Sequence, residues 1–278
     1  MPELLDIRSV TYTAPDLRII EESYTRWLGY RVVSRGVVAA AAATAWLAPA
    51  IAGASMLTLG PASREPVHLH FIESRNATGW RSLTTHGWNV SEFVVQDVEG
   101  LARALADSPF RIIGAPASLQ RFPMIRAMQV RGPGGECLYF TEVGPGSGLN
   151  LATAQSYVGR VFIVVAGGPN LDALFSTYAP FSNTTDPPVS TRVRVISEAN
   201  NLAPDTEHRH GLVKMPSGTL VELDQYPAAT LPRLTAPDTL PPGMAMVSFN
   251  ARGLATRVAT TVRGATGERI ELWDSHHG

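Results

Sequence analysis

Residues 9–33 read SVTYTAPDLRIIEESYTRWLGYRVV, and the order of residue types in them sets the fold. Thr11 and Thr13 alternate with Val10 and Tyr12, the period-two pattern of a half-buried strand. Asp16 stands where a helix N-cap belongs. Leu17, Ile20, Tyr24 and Trp27 or Leu28 then fall on one helical stripe. Gly29 offers a stop, after which Tyr30-Arg31-Val32-Val33 returns to strand. The reading is strand, helix, strand.

The same order recurs along the chain. VSEFVVQDVEGLARALADSPFRII at 90–113 places Asp97 in the role of Asp16, with Leu101 and Leu105 on the stripe. A looser copy, RVFIVVAGGPNLDALFSTYAPF at 160–181, offers Asn170 as its cap. MAMVSFNA at 244–251 opens a fourth copy as a strand. A second repeat marks the end of the unit: RGPGGECLYF (131–140), KMPSGTLVEL (214–223) and RGATGERIEL (263–272) align without gaps. Each is a tight turn feeding a strand, with Gly135, Gly218 and Gly267 free to take positive φ. Too few residues separate 251 from Gly267 for a helix and two further strands, so the fourth unit is truncated. The expected unit is strand, helix, then two or three strands, and such units pair to bury their apolar faces. A Gly-rich, small-residue stretch at 144–156 reads as a linker, giving expected domains 1–146 and 155–278 of two units each.

These residues resemble the vicinal oxygen chelate superfamily of glyoxalases, extradiol dioxygenases and bleomycin-resistance proteins. The resemblance rests on TAPDLRIIEESYTRWLGYRVV and on the endings MPSGTLVELDQ and GATGERIELWD. It implies an α+β fold of paired βαβββ modules, each pair curling around a small-molecule cavity. It also implies a divalent metal (Fe, Mn, Zn or Ni) held by His or Glu from the first and last strands of the modules.

The residues at those positions depart from that pattern. Counting back from the helix caps, the first-strand position falls on Ser9 in unit one and Val90 in unit two, near 160–161 in unit three and 244–246 in unit four. None is His or Glu, and Glu92 is the nearest carboxylate. The last-strand position is Tyr139, Glu222 and Glu271 in units two to four, and His68 or His70 in unit one. No cofactor is therefore expected; His70, Glu222 and Glu271 are the residues a metal would use. The catalytic candidates are His70 as general base, Tyr139 as proton donor and Glu92 as orienting group, with His68 and Ser9 in the same pocket. The bland alternatives stay open: Tyr139 as packing, His68 and His70 as a hydrogen-bonded pair. In His208-Arg209-His210, a two-residue turn at Pro216-Ser217 would set Arg209 opposite Asp224 and aim both histidines away from Glu222.

The run VVAAAAATAWLAPAIAGASML at 37–57 has no charge, and none occurs between Arg35 and Arg64. Ten of its residues are alanine, and it carries Pro49 and Gly53, so its drive into a bilayer is weak. It lies inside unit one. It is expected to form a short helix over Ala39–Trp46 and a strand over Ser55–Leu59, with Trp46, Leu47, Ile51 and Met56 as an apolar lid or core.

The chain of 278 residues carries 23 basic and 24 acidic groups, which argues against a nucleic-acid binder. Cys137 is the single cysteine and reads as a small core residue, excluding an internal disulfide. The first residues lack a signal peptide's features. A cytoplasmic protein without membrane or nucleic-acid partners is expected, with homodimerisation left open. The expected function is a lyase, isomerase or dioxygenase-like catalyst on a small oxygenated molecule. A bleomycin-resistance-like binding protein is the alternative. Residues 275–278 read as a tail.

Overall fold

The computed structural model describes residues 2–181, 187–255 and 259–275, so the tail beyond Ser275 lies outside the described residues. Unit one contributes β1 (Glu3–Ala14), α1 (Leu17–Trp27), β2 (Arg31–Val37), α2 (Ala40–Ala45), β3 (Ser55–Gly60) and β4 (His68–Glu73). Unit two contributes β5 (Gly87–Val95), α3 (Val98–Leu105), β6 (Arg111–Ser118), β7 (Ile125–Arg131) and β8 (Cys137–Val143). Unit three contributes β9 (Val158–Gly168), α4 (Leu171–Tyr178), β10 (Val189–Arg192), α5 (Arg194–Ala199), β11 (Glu207–Lys214) and β12 (Leu220–Gln225). Unit four is β13 (Gly243–Arg252), β14 (Thr260–Arg263) and β15 (Arg269–Asp274), with no helix among its described residues.

The punctuation of the sequence acts as expected. The side chains of Asp16, Asp97 and Asn170 each accept a backbone N–H from the first turn of the following helix. Gly135, Gly218 and Gly267 adopt φ of +87°, +79° and +83° in the three repeated turns. In each unit the first and last strands pair in parallel, and in units one to three a helix lies in the crossover.

The pairing of units differs from the division into halves expected at the 144–156 linker. Seven strands in the order β14-β15-β13-β1-β4-β3-β2 join units one and four. Eight strands in the order β10-β11-β12-β9-β5-β8-β7-β6 join units two and three. The seams are antiparallel pairings of first strands, β1 with β13 and β5 with β9. The repeats define a unit but carry no mark of its partner. That choice is made by contacts far apart in sequence.

Those contacts form one core between the sheets. Tyr12, Tyr24 and Phe71 from unit one pack in the same apolar cluster as Phe93 and Phe140 from unit two, Val164 and Leu174 from unit three and Phe249 from unit four. Buried hydrogen bonds pin the layers together. The Tyr12 hydroxyl donates to Ser91, Tyr30 donates to the Gly159 carbonyl at 2.7 Å, and the Trp88 indole donates to the Arg269 carbonyl at 2.7 Å. Strand side chains alternate, so the face of each sheet turned from this core carries the other set of residues and forms a cup. No helix among the described residues is long and apolar enough to cross a membrane.

Candidate functional site

The cup of the first sheet is built on β1, β4, β13 and β15. Ser9 lies beside His68 and beside Ser248, and Ser248 lies beside Glu271. The next row places Thr11 beside His70 and Met246. His70 Nδ1 is 3.1 Å from the Thr58 hydroxyl. Burial, with smaller contributions from His68 and Arg8, brings the His70 imidazole down to about 4. His68 also titrates below its ordinary range, chiefly through burial.

This cup is occupied by the chain itself. The uncharged run folds as α2, a short 3-10 turn at Pro49–Ile51, and β3. Trp46, 9% exposed, packs with Ile72, Leu240 and Met246; Ile51 and Met56 press on the same cluster. The Trp46 indole donates to Glu271 Oε1 at 2.7 Å, and the Ser248 hydroxyl donates to Glu271 Oε2 at 2.5 Å. Both oxygens of the last-strand carboxylate are thus already engaged. Leu47 departs from the lid expectation: it is 42% exposed, at a turn with φ +55°.

The cup of the second sheet is built on β5, β8, β9 and β12. Glu92 lies directly beside Tyr139, and Val165 lies beside Glu222. Apolar groups close two ends. Val195 and Ile196 of α5 pack with Val90, Cys137 and Val165, while Leu151, Ala152 and Ala154 of the linker pack with Ile163 and Leu220. Between them lies a row of polar side chains, the polar slot of this cup, in which Tyr139, His210 and Glu222 are partly exposed and Glu92 is buried. Burial first and Glu222 second push the Glu92 carboxyl up to about 8, against the Thr141 hydroxyl, which donates to Oε1 at 2.5 Å. Burial also pushes the Tyr139 phenol well above its ordinary range.

The catalytic set expected from the sequence is divided. Tyr139 and Glu92 meet in the second cup. His70, with Ser9, His68 and Trp46, belongs to the first, because units one and two do not share a sheet. The first-strand position also moves. The residues opposite Tyr139 and His70 are Glu92 and Thr11, two beyond Val90 and Ser9 on the same strand face; in units three and four they are Val165 and Ser248.

Sequence reasoning placed His210 on the wrong side. The loop closes through a Met215 N–H to Thr219 carbonyl bond of 3.0 Å, leaving three residues, Pro216-Ser217-Gly218, with Gly218 left-handed. That shifts the register by one residue from a two-residue turn. His210, not Arg209, stands opposite Asp224, and its Nδ1 lies 3.4 Å from Glu222 Oε1. Arg209 instead donates to Gln225. His208 points to α5, its Nε2 2.8 Å from the Ser197 hydroxyl.

Neither set of expected metal positions fits an ion. In the first cup Glu271 is spent on Trp46 and Ser248, and Thr11 and Ser248 are weak donors. In the second, Val165 offers no donor and Tyr139 is held as a neutral phenol.

No family model matches the chain, and no curated protein does. Among solved structures, glyoxalase I from Zea mays aligns with 99% of this chain and 92% of its own, at 12% identity and a TM-score of 0.60. A candidate dioxygenase from Bacillus subtilis covers 99% of this chain and 87% of its own, at 11% identity and 0.63. The fold is that of the vicinal oxygen chelate superfamily, with paired βαβββ modules and a truncated fourth.

Proposed function

We propose that the protein takes a small oxygenated organic molecule into the polar slot of the second sheet. There it acts as a glyoxalase- or dioxygenase-like lyase or isomerase. One observation carries this reading: Glu92 and Tyr139 stand side by side, facing a slot that solvent reaches at Tyr139. A carboxyl kept neutral near pH 7 is a proton donor for a carbonyl or enolate oxygen. Once it has given its proton, the carboxylate can take one from the carbon beside the carbonyl. Tyr139 donates a hydrogen bond to the same oxygen and stays protonated throughout. His70 has no part in this step, since it lies in the other cup.

The test is a nuclear magnetic resonance screen of 2-oxo aldehydes, hydroxy ketones and catechols against the wild-type protein, E92Q and Y139F. Conversion by wild type should fall at least 100-fold in E92Q and 10-fold in Y139F. Its rate should decline as pH rises through about 8, where Glu92 loses its proton. A compound converted equally by wild type and E92Q would refute the assignment. The second reading, a sequestering protein, is favoured by the apolar Val165 and Ile163 where the fold could place ligating groups. It is supported if compounds bind in the slot and are recovered unchanged.

A further inference from the structure

The acid–base pair leaves Asp224 unused. It is 2% exposed, and its Oδ1 has no hydrogen-bond partner. A buried carboxylate oxygen without a partner is costly, and such groups point to a missing ligand. We propose that His210, Glu222 and Asp224 form a site for a divalent first-row transition ion. The site is displaced from the fold's usual ligand positions toward the outer strand β11.

The register builds it. His210 faces Asp224 across β11–β12, and Glu222 lies two residues back on the same strand face. One ligand atom from each residue lies within 4.8 Å of the other two. An ion bound at about 2.0–2.2 Å draws such atoms to roughly 3 Å, a movement of side-chain torsions alone. The imidazole is free to make it. Its two nitrogens lie 3.4 Å from Glu222 and from the Thr191 hydroxyl, too long for either to lock the ring.

Charge points the same way. Two acidic side chains, the buried Asp224 and the partly exposed Glu222, offer ligand atoms within 4.8 Å of each other. A dication neutralises both, and a neutral imidazole completes a three-ligand set with open positions toward the slot. One nitrogen and two carboxylate oxygens suit Mn²⁺, Fe²⁺ or Zn²⁺ better than Ca²⁺, which prefers oxygen alone, or ions that prefer thiolates. Only Glu222 belongs to the ligand positions expected from the sequence. Asp224 and His210 do not.

This site does not rest on the function proposed for Glu92 and Tyr139, and its test uses no substrate. Full-length protein stripped with a chelator is titrated calorimetrically with ZnCl₂ and, separately, MnCl₂ at pH 7. The expected result is saturable binding of one ion per chain and a raised thermal midpoint. H210A and D224N should each weaken affinity at least tenfold, while H70A and E271Q stay within twofold of wild type. H210A removes a partly exposed ring, so it keeps the test decisive even if D224N fails to fold by circular dichroism. No saturable binding of either ion, or equal affinity in wild type and H210A, would overturn the site. So would an equal loss in E271Q.

Discussion

The two cups are built on the same strand plan and have been put to opposite ends. In the first sheet, the inserted run of unit one folds back over the cup, and Trp46 reaches across 225 positions of sequence to Glu271. The carboxylate there is a structural acceptor beneath an indole. In the second sheet, helix α5 and the linker close the ends with aliphatic groups and leave Glu92, Tyr139, Glu222 and Asp224 around a polar slot. A carboxyl group facing a cup can thus be a structural acceptor or a reagent. What decides is whether the chain supplies a donor to both of its oxygens.

The sharpest way to break this comparison is to remove the indole. W46A deletes a buried aromatic and leaves a Glu271 oxygen unpaired, so it should cost about 4 kcal/mol of stability in denaturant unfolding. Ligand and ion binding in the second sheet should stay within twofold of wild type. W46F, which keeps most of the packing and loses the hydrogen bond, should cost about 2 kcal/mol. If W46A instead abolished binding at little cost in stability, the segment would be a lid on a working site, and the contrast between the cups would fail.

Exchanging single carboxylates for amides sharpens it next. E92Q should reduce turnover at least 100-fold, equivalent to about 3 kcal/mol of transition-state stabilisation, whereas E271Q should leave turnover within threefold. E271Q should act on folding instead, because its amide nitrogen would face the Trp46 or Ser248 donor. Loss of turnover in E271Q with retained stability would move the active centre to the first sheet.

How much of this could be read from residue order divides along the same line. Local features were legible: the caps Asp16, Asp97 and Asn170 act within one turn, and Gly218 acts within one hairpin. The apolar run was correctly divided into a helix and a strand by Pro49 and Gly53. Three things were not legible. Which unit shares a sheet with which depends on pairings such as Ser9 with Ser248, which no local pattern marks. The face of His210 hung on one residue of loop length between Met215 and Thr219. The Trp46–Glu271 bond joins the first unit to the last. Tyr139 and Glu92 came together as expected because one strand pairing within a single unit places them.

The cups should also differ in their response to pH. Glu92, raised from 4.5 to about 8, keeps its proton in the folded metal-free chain where the unfolded chain releases it. Its contribution is complete below 4.5 and is lost as pH rises through about 8. His70, lowered from 6.5 to about 4, stays neutral where the unfolded chain takes up a proton. Its contribution is complete above 6.5 and is lost as pH falls toward 4. The two contributions oppose each other between about pH 4.5 and 6.5, so each is read in urea unfolding at pH 5, 7 and 9 as the difference between wild type and variant. The stability that wild type holds over H70Q should shrink from pH 7 to pH 5. The stability that it holds over E92Q should fall as pH rises from 5 to 9, with Asp224 titrating in the same direction in both proteins. An H70Q difference that did not change between pH 7 and pH 5 would show that His70 is not the buried neutral group assigned here.

The smallest effects come from the hydroxyls that hold the two carboxyls. Ser248 donates to Glu271 and Thr141 donates to Glu92, at the same 2.5 Å. S248A removes one of two donors from a buried carboxylate that still holds the indole, and should cost about 1 kcal/mol without a change in turnover at pH 7. T141V acts on a carboxyl that is already neutral there. The lost bond had favoured the charged form, so the Glu92 midpoint should move above about 8 and the alkaline fall in rate should move with it. Stability at pH 7 should change by less than about 1 kcal/mol. One hydroxyl would then be read in unfolding and the other in a pH–rate profile. If T141V left that profile in place, the group titrating there would not be Glu92.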